Sequence, residues 1–144
     1  MALDLETFLP YRLANIASKM SEEFACVYQQ QSNLTIPQWR ILFNLAQLGQ
    51  SHAKELCMQA SMDKSTVSRA IKALIDKEYI ISILNPEDKR ASLLELTSDG
   101  HELYKQLAPD ALAWEQQLLA VLDEQEYQVL QQCLDKLSIK LNTP

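Results

Sequence analysis

Glycine is nearly missing from this sequence. Gly49 and Gly100 are the only two in 144 residues, beside five prolines. So few chain breakers argue against a loop-rich or disordered chain. Two distant glycines also cannot build a glycine-rich phosphate loop. Cysteine is scarce: Cys26, Cys57 and Cys133 are odd in number and widely spaced, with no CxxC pair and no histidine beside them. That pattern argues against a disulfide framework or a zinc site, and the expected compartment is a reducing cytoplasm. His52 and His101 stand in different segments, next to no nucleophile or carboxylate pair. No catalytic residue, metal or cofactor is therefore expected, and the chain does not read as an enzyme. No window approaches the ~18 apolar residues of a spanning helix, and "MALDLETFLPYRLANIASKM" lacks the basic-then-apolar order of a signal peptide. No membrane partner is expected.

What the chain does have is apolar residues (47%), enough for a real core, and a surplus of acidic groups that gives a net charge of −6. That mean hides an asymmetry. Residues 52–90 hold seven Lys/Arg against six Asp/Glu, a net of +1, and the remainder carries −7. An acidic chain can still bind a polyanion if its cations gather on one surface.

Apolar spacing sets out the elements. Leu9, Leu13, Ile16, Met20, Phe24 and Val27 fall on one narrow stripe of a helix over 9–31, close to a coiled-coil seam. Thr35 can cap a second helix with Pro37 in its first turn and Gly49 at its end. Its apolar face holds Trp39, Leu42, Leu45 and Ala46. Ser51 can cap a short third helix and Asp63 a fourth, "KSTVSRAIKALIDKEY", with Val67, Ala70, Ile71, Leu74 and Ile75 inward. The β-branched "YIISIL" and the alternating "ASLLEL", separated by "NPEDKR", read as a hairpin. Thr97 caps a long helix that Pro109 is expected to kink or break. Asp123 and Glu126 form a box-like cap for the last helix, where Tyr127, Leu130, Leu134, Leu137 and Leu141 make a second narrow seam.

Short helix, tight turn, longer helix and hairpin is the winged helix-turn-helix arrangement. The expected fold is mainly α with a small β wing. Its 144 residues form one domain: a DNA-binding lobe over 35–97, and a helical dimerisation region from 1–34 and 98–144. A helix fits the major groove of B-DNA. Lys64, Ser65, Thr66, Ser68, Arg69 and Lys72 lie on or beside the outward side of the fourth helix. Short hydroxyls and a forked guanidinium there suit base edges and phosphates, and Lys72 suits phosphate as a compact charge. An ordinary solvated helix face would show the same periodicity. The neighbouring short helix, and the hairpin with Lys89 and Arg90 at its tip, favour the DNA reading.

These residues resemble the multiple antibiotic resistance regulator (MarR) family of bacterial transcription factors, from about Leu9 to Leu141. "LTIPQWRIL" resembles the entry to the family's second helix, and "DKSTVSRAIKAL" resembles its recognition helix. "DKRASLLELT" resembles its wing signature, the most specific of the three. The resemblance implies a homodimer with intertwined terminal helices. It also implies a pseudo-palindromic double-stranded operator, with Arg90 in the minor groove and Asp88 bracing the wing; the expected function is a regulator that represses or adjusts transcription. Glu78 departs from the family, which often has glycine there. Family members often respond to small aromatic or phenolic anions. Tyr11, Arg12, Trp39 and Tyr104 are the candidates for such a ligand site, with Arg12 holding a carboxylate; packing aromatics and a surface arginine are the plainer reading. Trp114 suits either dimer core or ligand wall. The three cysteines are expected to be small buried apolar residues rather than oxidant sensors. A winged-helix module that binds only protein is the rival from another class.

Overall fold

The computed structural model describes residues 1–83 and 92–142. The helices are α1 (Leu9–Gln29), α2 (Ile36–Leu48), α3 (Ala53–Ala60), α4 (Lys64–Asp76), α5 (Ser98–Leu119) and α6 (Glu124–Asn142). The strands are β1 (Gln50–Ser51), β2 (Ile80–Ile83) and β3 (Leu93–Leu96). The fold is mainly α with one small antiparallel sheet in the order β1-β3-β2. The chain divides into two compact units, residues 1–111 and the stretch from Leu112 onward.

In the first unit, capping fixes the helix starts. The Thr35 hydroxyl accepts from Gln38 N–H at 3.3 Å, and Gln38 Oε1 accepts from Thr35 N–H at 3.2 Å. This reciprocal box satisfies two donors that a helix start leaves unpaired. Lys77 Nζ donates to the same Gln38 Oε1 and to the Asn33 carbonyl, so the end of α4 is tied to the start of α2. Gly49 closes α2 at φ 82°, a left-handed conformation that glycine accepts without a Cβ clash. The core lies where α2 meets α3, α4 and the sheet: Ile41, Leu42, Leu45, Leu56, Val67 and Leu74 are fully buried.

Several expectations need correction. The sheet has a third strand, because Gln50 and Ser51 pair with Glu95 and Leu94 of β3. Ser51 is therefore buried in β1 instead of capping α3. Its hydroxyl bonds Glu55 Oε2 at 2.9 Å, and the cap position falls to His52, whose side chain caps nothing. Ile75 is exposed, whereas its neighbour Leu74 is fully buried, so Ile75 falls at the edge of the apolar face of α4. Pro109 does not break α5, which is continuous from Ser98 to Leu119. It sits at an exposed position, where water can serve the Lys105 carbonyl that loses its N–H partner. Cys26 and Cys133 are exposed and Cys57 is half-buried. Cys26 lies on the outer side of α1, and no residue of α6 is buried.

The sheet register bears out the hairpin over its described part. Ile80 pairs with Leu96 and Ile83 with Leu93, so Leu94 and Leu96 turn into the core. Thr97 caps α5 as expected, its hydroxyl accepting from Gly100 N–H at 3.0 Å. Gly100 is required by a close approach: a Cβ there would lie 2.1 Å from the Tyr79 carbonyl oxygen.

The stripe on α1 divides. Phe24 is buried, whereas Leu9, Leu13, Ile16 and Met20 are exposed. In the second unit, Asp123 and Glu126 cap α6 reciprocally at 2.8 and 3.0 Å, and Leu130, Leu134, Leu137 and Leu141 stay exposed along one stripe. Burying such a side chain contributes ~1.5–3 kcal/mol, a contribution these exposed stripes do not make. Among the described residues, no helix is long and apolar enough to cross a membrane.

Candidate nucleic-acid interface

The candidate interface is built on the α3–turn–α4 unit. Ser61 ends α3 in the left-handed region at φ 52°, and the chain reverses within Ser61-Met62-Asp63. Asp63 then caps α4: Oδ1 accepts from Thr66 N–H at 2.8 Å and Oδ2 from the Thr66 hydroxyl at 2.8 Å. The Thr66 N–H, then its hydroxyl, then the Arg69 charge favour the carboxylate and hold Asp63 below its ordinary pKa, against a smaller opposing effect of desolvation. Val67, Ala70 and Leu74 anchor the helix in the core.

The opposite side carries the predicted contacts. Lys64, Ser65, Ser68, Arg69 and Lys72 are all exposed. Three cations and two free-standing hydroxyls thus share one helix surface with no carboxylate between Lys64 and Ala73. Thr66 differs from the others. It is half-buried and its proton is spent on Asp63, so it retains acceptor capacity only. Asp88, Lys89 and Arg90 lie outside the described residues.

The base of the hairpin is joined to the helix-turn-helix. His52 Nδ1 lies 3.2 Å from the Ser92 carbonyl oxygen, and Gln50 Nε2 donates to Glu95 Oε2 at 2.8 Å. Sequence reasoning assigned His52 to no site, and only the pairing of β1 with β3 reveals its position. It also passed over Lys54, which is exposed on α3 and lines one groove with Lys64 and Ser68. Its place inside the cation-rich 52–90 stretch was the available signal.

The candidate ligand residues separate into two groups. Trp39 packs edge-on against Phe24 and Phe43 with ring centroids 4.9 Å apart in each case, and Phe43 meets Tyr104 at 5.1 Å. Trp39 and Tyr104 therefore belong to one aromatic row. Tyr11 and Arg12 are exposed on the first turns of α1, and no hydrogen bond or ring contact joins them to that row among the described residues. Tyr28 also abuts the row, 5.1 Å from Phe24. Its hydroxyl and the Trp39 indole N–H are buried without a hydrogen-bond partner among the described residues. Burial pushes the Tyr28 pKa up to about 12, partly offset by the Arg40 charge. Among the described residues no cluster of three or more His, Cys, Asp or Glu side chains could hold a metal ion.

Comparison with known proteins gives a consistent picture. Residues 34–92 match the family model described as "MarR family". The uncharacterized HTH-type transcriptional regulator YxaD of Bacillus subtilis is 32% identical over 117 residues, covering 78% of this chain and 82% of that one. A Staphylococcus aureus regulator of the same description, SAV2265, is 32% identical over 91 residues; the match covers 63% of this chain and spans 62% of that relative's length. A MarR/EmrR family regulator from Acinetobacter sp. ADP1 superimposes with a TM-score of 0.88 at 28% identity, over 97% of this chain and 99% of that one. Two more distant structures share the fold. A mutant MarR from E. coli complexed with operator DNA has a TM-score of 0.80 at 22% identity, over 94% and 99% of the two chains. NadR in complex with 4-hydroxyphenylacetate has a TM-score of 0.79 at 21% identity, over 95% and 96%.

Proposed function

The chain belongs to the MarR family of transcriptional regulators, and from that premise we propose that it acts as a cytoplasmic homodimer which represses transcription from a pseudo-palindromic operator. Residues 35–97 form the DNA-binding lobe, and residues 1–34 and 98–144 form the dimerisation region. The outward side of α4 carries this reading. It presents Lys64, Arg69 and Lys72 with Ser65 and Ser68, uninterrupted by a carboxylate, on a chain whose net charge is −6. α4 enters the major groove, where Arg69 addresses a guanine edge or a phosphate and Lys72 a phosphate. Thr66 contributes as an acceptor. Arg90 of the wing reaches the adjacent minor groove, with Lys89 beside it on the backbone and Asp88 as its brace. The E. coli neighbour's complex with operator DNA supports an operator as the partner.

Dimerisation draws its support from the exposed apolar stripes of α1 and α6. A small aromatic or phenolic ligand releases the operator. The aromatic row of Trp39, Phe43 and Tyr104, with the unpartnered Trp39 N–H as a donor, supports a site for it, as does the 4-hydroxyphenylacetate bound by NadR. Tyr11 and Arg12 stand apart from that row on the first turns of α1, so they join the site only if a second copy of the chain brings them to it.

The test is fluorescence anisotropy with labelled duplexes selected from a random pool. Binding at low salt should weaken on a log–log plot with a slope of ~0.9 per phosphate neutralised. Arg90→Ala should weaken operator binding with the fold intact. Absence of binding to any duplex at low salt would refute the proposal and leave a protein-binding module as the reading.

A further inference from the structure

We propose that the outer edge of β2 is a docking site for a short basic segment of another protein, which adds to the sheet as a further strand. The order β1-β3-β2 leaves β2 paired on one side only. Among the described residues, no backbone bond outside the sheet engages Ile80–Ile83. An unpaired strand edge is a template for pairing, and folded chains commonly blunt it with lysine, proline or a bulge. Residues 80–83 read Ile-Ile-Ser-Ile, without charge or proline, and pair with β3 in unbroken register. Ile81 and Ile83 are 44% and 37% exposed.

A groove of about 650 Å³ lies beside this edge. Ile75 of α4 and Ile80 and Ile81 of β2 give it an apolar wall. Glu78 and Asp99 are the only charged side chains lining it among the described residues, and both are exposed. Two carboxylates with no cation select a partner that carries Lys or Arg. The chain's own candidates fit poorly. A second copy brings the same two carboxylates and a net charge of −6. The segment ahead of α1 carries Asp4 and Glu6 with no lysine or arginine. The occupant is therefore an extended run of β-branched residues flanked by cations on another protein. Backbone bonds to β2 supply its affinity, and its alternate side chains supply the selectivity. The groove shares no residue with the set Lys64, Ser65, Ser68, Arg69 and Lys72, so this partner and DNA can be held together. That consequence rests on the DNA reading above; the docking itself does not.

The experiment titrates the full chain, without DNA, with the end-blocked peptide Lys-Lys-Val-Thr-Val-Thr-Val-Lys-Lys, followed by amide NMR shifts. One control peptide carries glutamate in place of lysine, and another is N-methylated throughout its Val-Thr stretch. Saturable shifts are expected at Ile75 and at Ile80–Ile83, with the lysine peptide binding about tenfold more tightly than either control. Glu78→Gln with Asp99→Gln should remove the preference for lysine over glutamate, with the amide spectrum of the unliganded chain otherwise unchanged. Equal affinity for the two charged peptides, undiminished binding after N-methylation, or shifts confined to other elements would overturn the site. Concentration-dependent shifts of β2 with no peptide present would assign the edge to a second copy and overturn the basic partner. In a separate anisotropy arm, Ile81→Ser should weaken peptide binding and leave the apparent Kd for duplex DNA unchanged. A matching loss of DNA affinity would overturn the independence of the two surfaces. The peptide titration contains no DNA, so its result stands apart from the DNA reading.

Discussion

Replacing Gly100 with alanine should destabilise the chain, against the usual preference of helices for alanine. The new Cβ would sit 2.1 Å from the Tyr79 carbonyl oxygen, whereas real Cβ contacts essentially never fall under 3.0 Å. Helix α5 or the backbone at Tyr79 must therefore yield by roughly 1 Å, and neither is a flexible side-chain tip. Forcing an extra methyl into a packed site costs ~1–3 kcal/mol. The same carbonyl accepts from Thr97 N–H at 3.0 Å, and the Thr97 hydroxyl donates to the Glu78 carbonyl at 2.6 Å. Losing one such bond adds about 1 kcal/mol. The better helix propensity of alanine returns at most about 1 kcal/mol, and less in a first turn. A net loss of ~2 kcal/mol follows, and at ~2–4 °C per kcal/mol for a chain near this size the Tm falls by ~4–8 °C. Thermal unfolding followed by far-ultraviolet circular dichroism measures it. A variant that melts at or above the parent temperature would refute the close approach of α5 to the α4–β2 junction.

Three further outcomes follow from the same structure. Glu78 stands at φ 64°, so Glu78→Gly should raise stability by ~0.5–1 kcal/mol, read as a higher urea midpoint with an unchanged slope. The Tyr28 pKa is raised from 10.0 to about 12, so its contribution to stability is intact below pH 10 and is lost as pH rises through 12. Urea unfolding across that window should show the loss in the parent and not in Tyr28→Phe, which should match or exceed the parent at pH 7 because the deleted hydroxyl is buried without a partner. Leu134→Asp should turn a dimer into a monomer at micromolar concentration by sedimentation; an unaltered mass would remove the α6 stripe from the interface.

Features legible in the sequence were those fixed within a few residues. Thr35, Asp63, Thr97 and Asp123 each cap the helix assigned to them, because a cap needs only its own first turn. Leu94 and Leu96 face the core because alternation is also local. Strand β1 was not legible: Gln50 and Ser51 carry no strand pattern, and only pairing with β3, some forty residues on, makes them a strand. The same pairing took Ser51 away from its expected cap. At the candidate interface, periodicity placed Ser65, Ser68, Arg69 and Lys72 on the outside, yet it could not show that the Thr66 hydroxyl is committed to Asp63. Glu78 was noted as a departure from the family's glycine, and its positive φ gives the physical reason that glycine suits the position.

The short strand β1 has a consequence for how such a regulator can diversify. Because Gln50 and Ser51 stitch the α2–α3 corner to β3, and His52 meets Ser92, the base of the hairpin is bolted to the reading head. Ile83 and Leu93 are directly paired, so the chain leaves and re-enters the sheet side by side. Lengthening a connection between two such adjacent chain ends adds only ~0.6 kcal/mol per doubling in closure entropy. On the docking proposed above, the reach of the protein along DNA can thus be altered in length and charge independently of α4. A set of regulators with one core and many target spacings could arise by editing that connection alone.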